Sequence, residues 1–274
     1  MSEMGVKLAI IYLKNRVSMI IDTHCHLDDS RYGEDLEEVL RHAKDQGVEK
    51  YIIPGADPQT LDRALEIAQK YEHVYFAVGV HPYDAAHYDR SELEPFVSHP
   101  KCVAIGECGL DYSRLPESPK EIEDCKNLQK KVFIDQILWA KALKKPLIVH
   151  IREASIDSLA LLEQYAGEKG GVLHCYNADE QLLKLAKRNF YFGIGGVLTF
   201  QNARKLIEVY PKIPRERLLI ETDAPYLTPH PHRGERNEPA YTVFIADKMS
   251  DLSGLSREEI ETLTAQNASR LFGI

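Results

Sequence analysis

Eight short runs of apolar, β-favouring residues recur along this 274-residue chain, beginning near Met19, Lys50, Val74, Cys102, Pro146, Gly171, Phe190 and Leu218. Helical patterns separate them. Leu36, Val39, Leu40 and Ala43 follow the i, i+3, i+4, i+7 spacing of one helix face, Leu128–Leu143 is a longer apolar stretch, and Ile156, Leu159 and Leu162 mark another face. Gly47 and Gly167 stand where two of these helices should stop. After the last strand, about Pro239 to Met249 and Glu258 to Leu271 should form two closing helices. Repeated strand-plus-helix units of this kind are the pattern of an α/β fold, here a (β/α)8 TIM-type barrel, with a doubly wound open sheet as the alternative. Ser113–Lys126, polar and rich in Pro and Glu, should be an enlarged loop. No low-complexity linker divides the chain, so residues 19–274 are expected to be a single barrel domain and residues 1–18 an N-terminal extension.

Composition narrows the class of function. No apolar run approaches the ~18–20 residues needed to cross a membrane, so no membrane association is expected. Leu8–Leu13 lacks a small-residue cleavage site and is too short for a secretory core segment. Lys and Arg number 34 against 42 Asp and Glu, a net charge of −8, which suits a general polyanion binder poorly. Any phosphate-bearing ligand must then be held by local cations or metal ions. The five cysteines are scattered without a CxxC pair, which points to reduced thiols and a cytoplasmic setting.

The chemistry-bearing residues gather at one place in the proposed topology. In IDTHCHLDDS (Ile21–Ser30), strand alternation would put Asp22, His24, His26 and Asp28 on one face. Such a face is costly to bury unless something pairs with it. The third strand ends in VGVHP with His81, the fourth carries Glu107, the fifth His150 and then Arg152, the sixth His174, and the eighth Asp223. Active sites of α/β barrels form at the C-terminal strand ends, and imidazole with carboxylate is what a divalent metal takes. The recurrence of His24, His26, Glu107, His150, His174 and Asp223 at those ends points to a metal site. Cys25 and Cys175 should turn away from it, as small buried hydrophobes.

The stretches IDTHCHL, VGVHP, GECGLDY, PLIVHIREA, HCY, GVLTFQNA, ETDAPYL and RGERNEP, in this order, resemble the TatD-type metal-dependent deoxyribonucleases of the amidohydrolase-like barrels. The likeness covers Met19 to Ile274 and leaves the extension outside. It implies two divalent ions per subunit (Mg²⁺, Mn²⁺ or Zn²⁺). His24, His26 and Asp223 would hold one, His150 and His174 the other, with Glu107 bridging. It also implies a metal-activated water as nucleophile, with Asp223 and Glu107 catalytic and Asp223 accepting its proton. The implied activity is 3′–5′ exonuclease-like hydrolysis of single-stranded DNA, with RNA as a further substrate. A metal-dependent ester or amide hydrolase, such as an aminoacyl-tRNA deacylase or a lactonase, is the alternative. His81, Arg152, Arg233 and Asn237 are the expected substrate contacts, with Arg236 beside them, and Tyr112 and Phe200 are candidate base-stacking rings.

Overall fold

A parallel strand covered on both sides needs apolar residues at nearly every position, and the eight runs supply them. In the computed structural model, which describes residues 19–274, they form β1 (Ile20–Asp22), β2 (Val48–Ile53), β3 (Val74–Val78), β4 (Cys102–Asp111), β5 (Leu147–Arg152), β6 (Gly171–Leu173), β7 (Phe190–Ile194) and β8 (Leu218–Ile220). The proposed extension, residues 1–18, lies outside the described residues. Neighbouring strands pair in parallel and in sequential order from β1 to β8. The Thr23 N–H donates to the Ile220 carbonyl at 3.2 Å, and just beyond the strands the Asp223 N–H donates to the His24 carbonyl at 2.8 Å. The eighth strand thus returns to the first. A doubly wound sheet would reverse its strand order at a switch point, so the chain is a (β/α)8 TIM barrel.

The helices are α1 (Leu36–Asp45), α2 (Leu61–Lys70), α3 (Arg90–Val97), α4 (Pro119–Leu143), α5 (Ser155–Tyr165), α6 (Arg204–Val209), α7 (Thr242–Ser253) and α8 (Arg257–Phe272). Local signals set their ends. Glu37 and Glu38 open α1 and Lys44 closes it, each sign complementing the helix dipole. Ser256 and Glu259 form a reciprocal capping box at the start of α8, and Gly273 ends it at φ 74°. Two expectations change. Ser113–Lys126 is not all loop, because Ser118 caps α4, accepting the Glu121 N–H, and Pro119 occupies its first turn, where a missing N–H costs nothing. The connection after β6 is a run of 3-10 turns, Glu180–Arg188, rather than an α-helix.

Two apolar layers result. One joins the outer face of the sheet to the helices and includes Phe76, Phe133, Ile137, Phe192 and Ile245. The other fills the barrel interior: Ile21, Ile52, Ala77, Ala104, Ile148, Val172, Tyr191 and Leu219, one from each strand, closed at one end by Ala268, Leu271 and Phe272 of α8. These inward positions set the register of everything above them.

Candidate metal centre

Inward-facing positions recur every second residue. Two residues beyond the apolar plug stand His150 on β5, His174 after β6, Gly193 on β7 and Glu221 after β8; Asp223 follows two further on. On β4 the pairing with β5 slips between Ile105 and Cys108, and this irregularity coincides with Glu107 reaching the interior. Glycine is required beside it. A Cβ on Gly109 (φ 148°) would lie 1.9 Å from the His150 carbonyl oxygen.

Glu107 is the hub. Its Oε1 lies 3.0 Å from His150 Nδ1, 3.6 Å from His174 Nε2 and 3.8 Å from His81 Nε2, while Oε2 lies 3.2 Å from His24 Nε2. Burial alone would raise its pKa, but the charges of His174 and His24 and the hydrogen bond of His150 outweigh it, and the group is held well below the usual carboxylate range. Asp223 Oδ1 is 3.4 Å from His26 Nε2 and 3.7 Å from His24 Nε2. The backbone of Asp223 is left-handed at φ 57°, a conformation uncommon for residues with a Cβ, although Asp adopts it more readily than most.

Two carboxylates that the sequence reading passed over belong to the site. Glu221 Oε1 is 3.0 Å from His174 Nδ1 and also accepts the Cys175 N–H at 2.6 Å. A Cβ on Gly193 would strike Glu221 Oε2 at 2.1 Å, so the bare glycine on β7 makes the room for it. Burial lowers the pKa of His174, but the Glu221 and Glu107 charges prevail and carry it up to about 10. Asp111 Oδ2 lies 2.9 Å from His150 Nε2 and so fixes the other edge of that ring. Both acids carried a signal, since Glu221 shares its parity with Asp223 and Asp111 shares its parity with Glu107.

The opening stretch departs from simple alternation, because β1 stops at Asp22. Asp22 is fully buried but turns away from the centre, accepting hydrogen bonds from the Thr222 N–H at 3.0 Å and the Thr222 hydroxyl at 2.5 Å. Burial raises its pKa to about 7. Asp28 accepts from the Thr60 hydroxyl at 2.5 Å. Only His24 and His26 of the expected four point into the site. Cys25 is buried in the core, as expected, whereas Cys175 is half-buried and lies in the field of Asp223 and Glu221 rather than turned from it.

The donors fit a divalent cation. Among the described residues, three groups have ligand atoms within 4.8 Å of one another: His24–His26–Glu107, His24–His174–Glu221 and His81–Glu107–His150. Both ring nitrogens of His24 are buried with no hydrogen-bond partner, although its ring stacks on His174 at 3.5 Å. Buried imidazole nitrogens left unpaired are costly, and a cation shared with Glu107 would offset this cost. Nδ1 of His81 accepts the Tyr83 N–H at 3.2 Å, and burial lowers its pKa to about 4. The neutral ring therefore carries its proton on Nε2, facing Glu107 as a donor.

The expected substrate contacts divide. Arg152 is exposed at the end of β5 with no ion pair among the described residues, and Arg233 is exposed, its guanidinium 3.9 Å over the Phe200 ring. Asn237 is fully buried: its amide donates to the Thr222 carbonyl at 2.9 Å and to the Tyr226 carbonyl, and its Oδ1 accepts the Glu238 N–H. The side chain braces the loop after β8 and cannot reach a ligand. Arg236 is likewise committed, to Asp35 at 2.7 Å and Glu238 at 2.9 Å, and the Tyr112 hydroxyl to Asp157 at 2.8 Å.

Known proteins carry the same architecture. The family described as TatD related DNase matches residues 21–273. The metal-dependent hydrolase YabD of Bacillus subtilis (strain 168) is 43% identical over 261 residues, covering 93% of this chain and 100% of the relative. A protein of Escherichia fergusonii named 3′-5′ ssDNA/RNA exonuclease TatD is 34% identical over 266 residues, covering 93% and 99% of the two chains. Among solved structures, the TatD homologue YJJV of Escherichia coli K12 superposes with a TM-score of 0.85 at 28% identity, covering 93% of this chain and 98% of that one. With the family matched from end to end of the described barrel, and imidazoles and carboxylates converging at its strand ends, this chain belongs to the TatD family of metal-dependent hydrolases.

Proposed function

We propose that the protein is a phosphodiesterase that removes nucleotides from the 3′ end of single-stranded DNA, and of RNA as a second substrate. One observation carries the proposal: a single buried carboxylate, Glu107, is met by four histidines, with Asp223 on the open side. The similarity to a protein named 3′-5′ ssDNA/RNA exonuclease supports the choice of substrate. In this reading His24, His26 and Asp223 would hold one ion and His150 and His174 a second, with Glu107 shared between them. Mg²⁺, Mn²⁺ and Zn²⁺ are the candidates, the imidazoles favouring the latter two. A divalent cation there supplies Lewis acidity to the phosphoryl oxygens and acidifies water.

The protein's own groups do the rest. The Asp223 side chain is 14% exposed against 4% for Glu107, so Asp223 is the carboxylate that water reaches and the one that takes its proton. His81 donates from Nε2 toward a phosphoryl oxygen. Arg152 and Arg233 add local positive charge to a chain that is acidic as a whole. Five free cysteines fit a reducing compartment, and no described helix is long and apolar enough to cross a membrane.

The test is hydrolysis of single-stranded DNA with a free or a blocked 3′ end, by metal-stripped protein to which Mg²⁺, Mn²⁺ or Zn²⁺ is restored. Metal-restored cleavage that needs the free end and disappears in a His24→Ala/His26→Ala variant is the expected result. Folded, metal-loaded protein that leaves both substrates intact while cleaving carboxylic esters would overturn the reading.

A further inference from the structure

The polar centre is bracketed by two exposed tyrosines. Six large hydrophobic side chains are exposed among the described residues; the four aliphatic ones lie on α4 and α5, and the two aromatic ones, Tyr83 at 40% and Tyr226 at 47%, both adjoin the histidines. On one side the Tyr83 ring is 4.8 Å from His81, which is 4.5 Å from His150. On the other, Tyr226 is 5.6 Å from His26, itself 5.2 Å from His24. Each tyrosine therefore stands one ring beyond a histidine of the cluster, about the reach of a nucleobase from its own phosphate.

Each ring is also held and backed. The Arg31 guanidinium sits 4.3 Å from the Tyr226 centroid and is locked in place by two hydrogen bonds to Asp29, at 2.9 and 2.7 Å. Arg114 sits 4.9 Å from the Tyr83 centroid. The Tyr83 hydroxyl lies 3.1 Å from Ser113 Oγ, which donates to Asp111 at 2.7 Å, and Asp111 meets His150. Tyr83 is thus wired to the edge of the metal cluster. An exposed aromatic ring with a guanidinium over it is the kind of surface on which sequence-independent single-strand binders stack a base.

We infer that Tyr83 and Tyr226 are base-stacking platforms on either side of the scissile phosphate, one for the leaving 3′ nucleoside and one for the nucleoside before it. The inference rests on the phosphodiesterase reading and sharpens it. The substrate must be single-stranded, because duplex bases present no free face, and it must carry a base on both sides of the bond. Stacking on two rings also lets a chain of net charge −8 grip a polyanion without a broad basic surface.

The experiment pairs each ring with the base it would hold. For the metal-loaded protein and its Tyr83→Ala and Tyr226→Ala variants, kcat/KM is measured on single-stranded oligothymidylates with an abasic site at the last or the penultimate position. Loss of one stacked base is worth about five- to hundredfold. Each tyrosine variant and each abasic substrate should cost this much alone. A variant given the abasic substrate matching its lost ring should lose less than about twofold more, and Tyr→Phe should rescue. Variants within about twofold of the parent, or losses that multiply for every pairing, would overturn the inference while parental cleavage leaves the nuclease reading intact. Affinity for an oligonucleotide with phosphorothioate terminal linkages, read by fluorescence anisotropy, separates the two ideas from the other side. If the parent protein cleaves no DNA yet binds this probe in a base- and tyrosine-dependent way, the nuclease reading falls and with it the placement about a scissile phosphate, while the two rings are upheld as base-stacking sites. Binding indifferent to bases and tyrosines removes them.

Discussion

Ile148 and His150 sit two residues apart on the inward face of β5, yet they belong to layers that obey opposite rules. Around Ile148 every strand contributes an apolar side chain to a closed plug. Around His150 the interior holds four other histidines, Glu107, Glu221 and Asp223, with neither ring nitrogen of His24 in a hydrogen bond. The lower layer stabilises the barrel by removing apolar surface from water. The upper layer concentrates groups whose burial is unfavourable, and it stays there because the strands below are rigid enough to hold it. A barrel can thus carry a costly site on one end of a stable plug, and damage to the two layers should read out differently.

Glu107→Gln should have the largest effect. It removes the carboxylate shared by four imidazoles, and metal-restored hydrolysis should fall by at least about a thousandfold, with reduced metal content by elemental analysis. Near-parental activity would show that the hub is structural. Ile148→Ala should act on the other layer, costing about 2–5 kcal/mol in denaturant unfolding while activity per folded, metal-loaded molecule changes only a few-fold. A large activity loss at unchanged stability would break the division between the layers. Glu221→Gln tests the boundary: it loosens the His174 ring, and metal affinity should drop about 10–100-fold with little change in unfolding free energy.

The smallest effect lies at the rim. The Arg31 hydrogen bonds lower the Asp29 pKa to about 2 from its ordinary 3.8. A carboxylate with a depressed folded-state pKa contributes stability that is present above its unfolded value and lost as pH falls through about 2. Because the Arg31 side chain is 44% exposed, the contribution should stay below about 1 kcal/mol. Unfolding of Asp29→Asn should differ slightly from the parent at neutral pH and converge with it as pH falls toward 2. A difference that persists at low pH would mean that the pair is not its source.

The barrel was legible because each strand announces itself locally, and so were the histidines at the strand ends, since His81, His150 and His174 each directly follow an apolar run and His24 and His26 lie just past the first one. Glu221 and Asp111 were missed although they share parity with residues that were noticed; a second acid two positions from the first looks redundant until its partner histidine is known. Asn237 looked like a polar loop residue facing ligand. Its amide is buried because the loop after β8 folds back on Thr222 and Tyr226, a contact between segments that no pattern in RGERNEP encodes. The start of α4 was written in Ser118 and Pro119, but the polar residues around them outweighed the cap.

The sequence by itself determined the alternation of strand and helix, the two-residue periodicity that separates plug from site, and the residue types gathered at the strand ends, because these depend only on local geometry and burial. Tertiary structure decided which groups meet: closure of β8 onto β1 brings Asp223 to His26, the slip between Ile105 and Cys108 accompanies the entry of Glu107 into the interior, and the early end of β1 turns Asp22 out to Thr222. Those outcomes depend on register between strands far apart in the chain, which a residue's neighbours in sequence do not specify.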